Sequence, residues 1–158
     1  MPMTLSGTTG IVQPTAGAPA FSAYLTGSQS VSNAVWTKAQ INTEVFDTNS
    51  NFDNTSNYRF TPTVAGYYQV NGSIYLNYTG SAGTRIGVSI YKNGAGIAEN
   101  QITNAGGSLY GTLVNSALIY LNGSTDYVEL YGYFNSATAQ FLSGQNYTYF
   151  QAAMIRSA

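Results

Sequence analysis

Chemistry in this chain must be built from six carboxylates, five Lys or Arg and fourteen tyrosines, because it contains no His and no Cys. Without imidazole there is no Ser-His-Asp or Cys-His device and no histidine metal site. Without thiols there is no thiolate nucleophile, zinc-thiolate centre or disulfide. One catalytic device remains, a pair of carboxyl groups flanking a glycosidic bond. Asp126 and Glu129 stand three apart in an extended segment, which sends them to opposite faces and keeps them from flanking one bond. Asp47 and Asp53 share their segment with Asn49, Asn51 and Asn54, short polar residues that make turns by bonding their own backbone. Their oxygens also suit a hard cation, but the spacing is not that of an EF-hand loop. The sequence therefore assigns no catalytic, metal or cofactor-binding residue and no cofactor. A polysaccharide depolymerase resting on Asp47 and Asp53 is its weakest functional option.

Tyrosine is the other chemical resource. Tyr127, Glu129, Tyr131 and Tyr133 alternate with Val128 and Leu130, so they share one face of a strand. Such rings have two uses. They can stack on the sugar faces of a host envelope, or pack between subunits, where Tyr brings large area and a polar tip. Tyr67, Tyr75 and Tyr91 carry the same two options.

The elements that must position these residues are extended. Tyr68, Val70, Gly72, Ile74, Leu76 and Tyr78 form one mostly apolar face, with Gln69, Asn71, Ser73 and Asn77 between them. The same period of two recurs in Ile86, Val88, Ile90, in Leu113, Ala117, Ile119, Leu121, and in Val128, Leu130, Gly132, Phe134. A last strand is expected from about Tyr147 to Ile155. Turn signals separate these runs at 79–83, Lys92-Asn93-Gly94, 104–107 and Asn122-Gly123-Ser124. No stretch carries a helical period of useful length. Many short strands joined by such turns predict an all-β antiparallel sandwich or barrel. Residues 1–19, punctuated by Gly7, Gly10, Pro14, Gly17 and Pro19, read as an anchoring arm whose apolar contacts are Leu5, Ile11 and Val12. Residues 20–158 form the domain.

Composition closes further options. The 158 residues suit one domain. Hydrophobic residues make up 44% and charged residues only 7%, with a net charge of −1. Charged residues average roughly 25% of a globular protein, and their place is taken here by Ser, Thr and Asn. No basic cluster exists to hold nucleic acid or an acidic membrane surface. No apolar run approaches a membrane span or a signal-peptide core. With no secretory signal, the Asn-x-Ser/Thr triplets at Asn54, Asn71, Asn77, Asn122 and Asn146 read as by-products of composition.

Several segments resemble the gC1q family. Ala20-Phe21-Ser22-Ala23 is similar to that family's opening strand. Phe60-Thr61-Pro62-Thr63-Val64-Ala65-Gly66-Tyr67-Tyr68 resembles its central signature, an aromatic followed six residues later by Gly and a Tyr pair. Asn51-Phe52-Asp53, Lys92-Asn93-Gly94, Asp126-Tyr127-Val128 and the stretch 150–155 match further family positions, so the resemblance spans about residues 20–156. Ala65 replaces the usual Pro before Gly66. No acidic cluster corresponds to the family's calcium sites. The Thr/Gly-rich start at 4–11, the wording of 42–53 and the stretch 122–128 are similar to gC1q-like modules of bacteriophage tail-fibre and decoration proteins.

The resemblance implies a ten-stranded antiparallel jelly-roll sandwich of gC1q/TNF type, assembled as a homotrimer. In such a trimer Tyr67, Tyr75, Tyr91, Tyr127, Tyr131 and Tyr133 are expected to pack subunits rather than stack on glycans. The expected function is a non-enzymatic structural protein of a phage virion, assembled in the bacterial host cytoplasm. The knob would dock through its arm on other virion proteins of capsid or tail, as a decoration or fibre head able to touch host-surface polysaccharide. The alternative is a dedicated receptor-binding tip with its specificity in the loops at 79–84 and 100–108. No nucleic acid and no membrane insertion are expected.

Overall fold

The computed structural model describes residues 4–6, 10–12, 17–80, 82–135 and 139–158, and of 4–6, 10–12, 78–80 and 107–110 the backbone alone. The chain is all β. Its early strands are short: β1 (Thr4–Ser6), β2 (Gly10–Val12), β3 (Ala20–Tyr24), β4 (Gln29–Val31), β5 (Thr37–Lys38), β6 (Thr43–Asp47), β7 (Phe52–Asp53) and β8 (Arg59–Phe60). Longer ones follow: β9 (Gly66–Gly80), β10 (Arg85–Lys92), β11 (Ala95–Thr103), β12 (Gly107–Leu121) and β13 (Val128–Phe134). β14 (Ala139–Phe141) and β15 (Tyr149–Ser157) complete the chain. The last strand starts two residues later than the sequence pattern suggests, because Tyr147 and Thr148 donate their amides to the Gly144 carbonyl in a turn.

Two sheets contain all strands after β2, and every described pairing is antiparallel. The first runs β11-β10-β13, then β8 and β5 end to end in one lane against β13, then β7. The second runs β12-β9, then β15 and β14 in one lane, β3 and β4 in the next, and β6 at the edge. Each sheet thus has five lanes, the ten-stranded jelly roll that the resemblance implies.

The core lies between the sheets. Tyr68, Val70, Ile74 and Leu76 on β9 face Val128, Leu130 and Phe134 on β13 and Val88 and Ile90 on β10, all fully buried. Gly72 and Gly132 sit inside these inward rows for a steric reason. A Cβ on Gly72 would meet Leu130 Cδ1 at 2.3 Å, and one on Gly132 would meet the Phe141 ring at 2.4 Å. Each glycine is the hole that a large residue of the opposite sheet fills.

The segments that carry the gC1q resemblance converge on one aromatic cluster. Phe21 stacks on Phe52 with centroids 4.5 Å apart and on Phe60 at 4.6 Å, and meets Phe150 edge-on at 5.3 Å. Tyr68 meets Phe60 edge-on at 5.8 Å, and its hydroxyl donates to the Val64 carbonyl at 2.6 Å. The signature is a core-building pattern: five separate strands supply the rings that close one end of the sandwich.

Lys92-Asn93-Gly94 forms the tight β10–β11 turn, with φ of 51° at Asn93 and 82° at Gly94, the positive pair such a hairpin needs. The Asn93 side chain ties this turn to the start of β13. Its Oδ1 accepts the Tyr127 amide at 3.0 Å, and its Nδ2 donates to Asp126 at 2.8 Å. Two motifs more than thirty residues apart therefore build a single corner.

Candidate functional site

The carboxylates come first because they alone could be catalytic. Asp47 accepts the backbone amides of Asn49 and Phe52, at 3.2 and 2.7 Å. Asp53 accepts those of Thr55, Ser56 and Asn57, at 3.0, 2.9 and 3.1 Å, and also the Asn57 side-chain amide. The Ser56 and Thr55 amides, with Asn57, hold its carboxyl far below the usual carboxylate range. Asp126 is held low by the Lys92 ammonium at 2.9 Å and by Asn93. Glu129, nearly buried, pairs with Lys38 at 2.5 Å. A general acid needs its pKa raised, and Asp53 and Asp126 move the other way. Among the described residues no group of three or more acidic side chains is placed to hold a metal ion.

The predicted tyrosines divide between the two outer faces of the sandwich. Tyr91, Tyr127, Tyr131 and Tyr133 lie on the first sheet, where antiparallel register sets Ser89 opposite Tyr131 and Gly87 opposite Tyr133. Tyr91 stacks on Tyr131 with centroids 4.0 Å apart. Three cations join this belt: Arg59 over Tyr127 at 4.4 Å, Arg85 over Tyr133 at 5.5 Å and Lys38 over Tyr131 at 5.9 Å. Burial, reinforced by Glu129, pushes the Tyr131 phenol up to about 12. Trp36, which the sequence did not single out, closes the row against Tyr133 at 5.4 Å and Tyr91 at 6.2 Å. Its signal was Gly87, a glycine inside a strand: a Cβ there would lie 2.9 Å from the indole edge. The ring faces of this belt are spent on one another and on cations.

Tyr67 and Tyr75 lie on the outer face of the second sheet. Tyr67 meets Tyr120 at 5.5 Å and Tyr75 meets Tyr147 at 4.9 Å. Leu118 and Val114 stand beside them on β12, 61% and 48% exposed, and Phe46 on β6 is 49% exposed. Gln69, Asn71 and Ser116 bond to one another in the midst of these apolar groups. A cleft of about 170 Å³ opens beside them, lined by Phe46, Gln69, Asn71, Gln151 and Ala153 among others. No charged residue lines it.

The two loops expected to carry specificity meet at one end of the molecule. Gly83 donates to the Asn104 carbonyl at 2.8 Å, and Asn104 donates to that of Thr84 at 2.7 Å. Ser81 lies outside the described residues, as do 1–3, 7–9 and 13–16 of the arm. The arm's three apolar anchors fall in β1 and β2, which pair with each other, Leu5 in register with Ile11 and Thr4 with Val12.

The sandwich is a jelly roll of the C1q/TNF type. A solved structure described as Eiger TNF from S. frugiperda superposes with a TM-score of 0.65, covering 89% of this chain and 93% of that one, at 13% sequence identity. At that identity the likeness concerns the fold. No protein-family profile matches the chain, and no curated protein matches its sequence.

Proposed function

We propose that this chain is a non-enzymatic structural protein of a phage particle, a self-associating jelly-roll knob, three copies to a unit, that docks through residues 1–19 on capsid or tail proteins. The observation that carries the self-association is the outer face of the second sheet. Phe46, Tyr67, Val114, Leu118, Tyr120 and Tyr147 are each between 42% and 61% exposed on one largely apolar surface, where Arg156 is in register with Tyr67 and the Lys92 ammonium stands over Tyr120. At roughly 200 Å² per large side chain they leave on the order of 500 Å² of apolar area open. That is the upper range of what a monomer shows, and a good part of the ~800 Å² each partner contributes to a standard interface. A largely apolar face of this size is covered well by another of its kind, and a second copy supplies one.

The phage role is supported by the resemblance of the Thr/Gly-rich start and the tyrosine-rich head to virion modules. The lack of enzymatic activity is supported by the fate of Asp47, Asp53, Asp126 and Glu129, which cap loops or pair with lysines. The covered rings of the first sheet's belt favour packing over sugar stacking there. The joined loops around Thr84 and Asn104 support a second reading, a receptor-binding tip gripping host-surface polysaccharide. Native mass spectrometry of the chain, followed by immunogold labelling of particles with and without residues 1–19, tests the proposal. A trimer that decorates particles only when the arm is present is the expected result. A monomer, or decoration by the truncated chain, refutes it.

A further inference from the structure

A row of small polar side chains crosses the exposed face of the second sheet at right angles to its strands. Antiparallel register sets Ser116 opposite Asn71, Asn71 opposite Gln151 and Gln151 opposite Ser22. The rows on either side are apolar or aromatic on β12: Leu118 and Tyr120 on one flank, Val114 on the other. The polar row thus lies inside the apolar surface.

Its hydrogen bonding is half complete. Gln69 Nε2 donates to Ser116 Oγ at 2.7 Å and to Asn71 Oδ1 at 3.2 Å, and Ser116 Oγ donates to the same Asn71 oxygen at 2.8 Å. These bonds fix the Gln69 and Asn71 amides in orientation. Among the described residues no protein atom pairs with Gln69 Oε1, Asn71 Nδ2 or either end of the Gln151 amide. All three residues line the cleft of about 170 Å³, together with Phe46. Amides with unpaired atoms therefore line one opening together.

An apolar face by itself lets two copies slide past each other, because hydrophobic contact has no direction. Amides within that face change this. Each donor or acceptor that an assembly buries unpaired loses its water without replacement, so arrangements that leave these amides facing Leu118 or Tyr120 of a neighbour are disfavoured. Only the docking that brings partner donors and acceptors into the cleft satisfies them. A buried polar side chain that fixes register and copy number at some cost in stability is a known device of coiled coils.

The geometry points to the Ser116–Asn71–Gln151 row, with Gln69, as the determinant of register and copy number in self-association, its occupant being a second copy of this chain. This rests on the self-association proposed above and deepens it. The test compares the full chain with the Gln69→Leu/Asn71→Val/Gln151→Leu variant by native mass spectrometry, thermal melting and far-ultraviolet circular dichroism. The wild type is expected as one oligomeric species. The triple variant is expected to keep the strand signature, to melt at the same or a higher temperature, and to distribute over more than one oligomeric state. If the triple variant loses its strand signature, Gln151→Leu alone decides, with a second oligomeric species expected. A folded variant that stays in the wild-type oligomer overturns this inference and leaves self-association standing. A monomeric wild type overturns self-association itself, and this inference with it.

Discussion

Gly132→Ala is the sharpest probe of how the two sheets are matched. The added methyl would lie 2.4 and 2.5 Å from two carbons of the Phe141 ring and 2.9 Å from Ile74 Cδ1. Ordinary carbon contacts lie at about 3.5–4.0 Å, so the ring must retreat by roughly 1 Å. It has nowhere to go, because Phe141 and Ile74 are both fully buried. Overpacking of this kind costs about 1–3 kcal/mol, and three short contacts in a closed core place it near the top of that range. Alanine returns about 0.4–1 kcal/mol by restricting the unfolded chain. The net loss is about 2 kcal/mol, which lowers Tm by roughly 4–8 °C in a chain of this length. Phe141→Leu alone also destabilises by leaving a void, yet it removes the atoms with which the methyl collides. The double variant should therefore be more stable than the two single losses predict, with a coupling of about 1 kcal/mol or more. Chemical denaturation of the four proteins reads this cycle. A neutral Gly132→Ala, or losses that add within about 0.5 kcal/mol, would refute the knob-and-hole reasoning.

Two pH dependences follow from buried or paired groups. The Tyr68 and Tyr131 phenols are both pushed up to about 12 by burial, while unfolded phenols titrate near ~10. Stability from keeping them protonated is complete below about pH 10 and is lost as pH rises through 12. Ultraviolet titration should show a late-ionising subset of tyrosines that disappears on unfolding, and one shared transition near pH 10 would contradict this. Asp126 works with the opposite sign. Lys92 and Asn93 hold its carboxyl low, so its contribution is present above the unfolded value of ~3.9 and is lost as the pH falls towards the lower folded value. Asp126→Asn is expected to cost about 1.5–3 kcal/mol at pH 7 and to flatten the acid limb of the stability profile. An unchanged acid limb would show that Asp126 does not anchor the β10–β11 turn.

Local pattern carried much of the fold. The alternation in 68–78 named Tyr68, Val70, Ile74 and Leu76 as the core row of β9, and Lys92-Asn93-Gly94 named its hairpin, because period and positive φ are properties of neighbouring residues. The resemblance segments were visible for a related reason, since the rings of Phe21, Phe52, Phe60, Tyr68 and Phe150 recur at spacings the core demands. What pattern could not supply was the registry between strands distant in sequence. Tyr67 and Tyr75 look equivalent to Tyr131 and Tyr133 along the chain, yet they belong to opposite outer faces. The cations over the belt were hidden likewise, because Lys38, Arg59 and Arg85 reach it from three strands, β5, β8 and β10. Two-residue strands such as β5 and β7 leave no periodic trace at all.

The scarcity of charge takes on meaning once its placement is known. Four of the five cations stand over tyrosine rings, and two of those four also hold Glu129 and Asp126. Most of that charge is spent on the first sheet's outer face and the corner beside it, where its partners are already in the same chain. The opposite face, from Tyr67 across Leu118 to Val114, carries amides and hydroxyls with unmet valences and apolar groups still open to solvent. Charge reaches this face too, at Arg156 in register with Tyr67 and at Lys92 over Tyr120. The rings of one side are covered within the chain, and the other side keeps apolar groups and amides that contact with a further copy would cover.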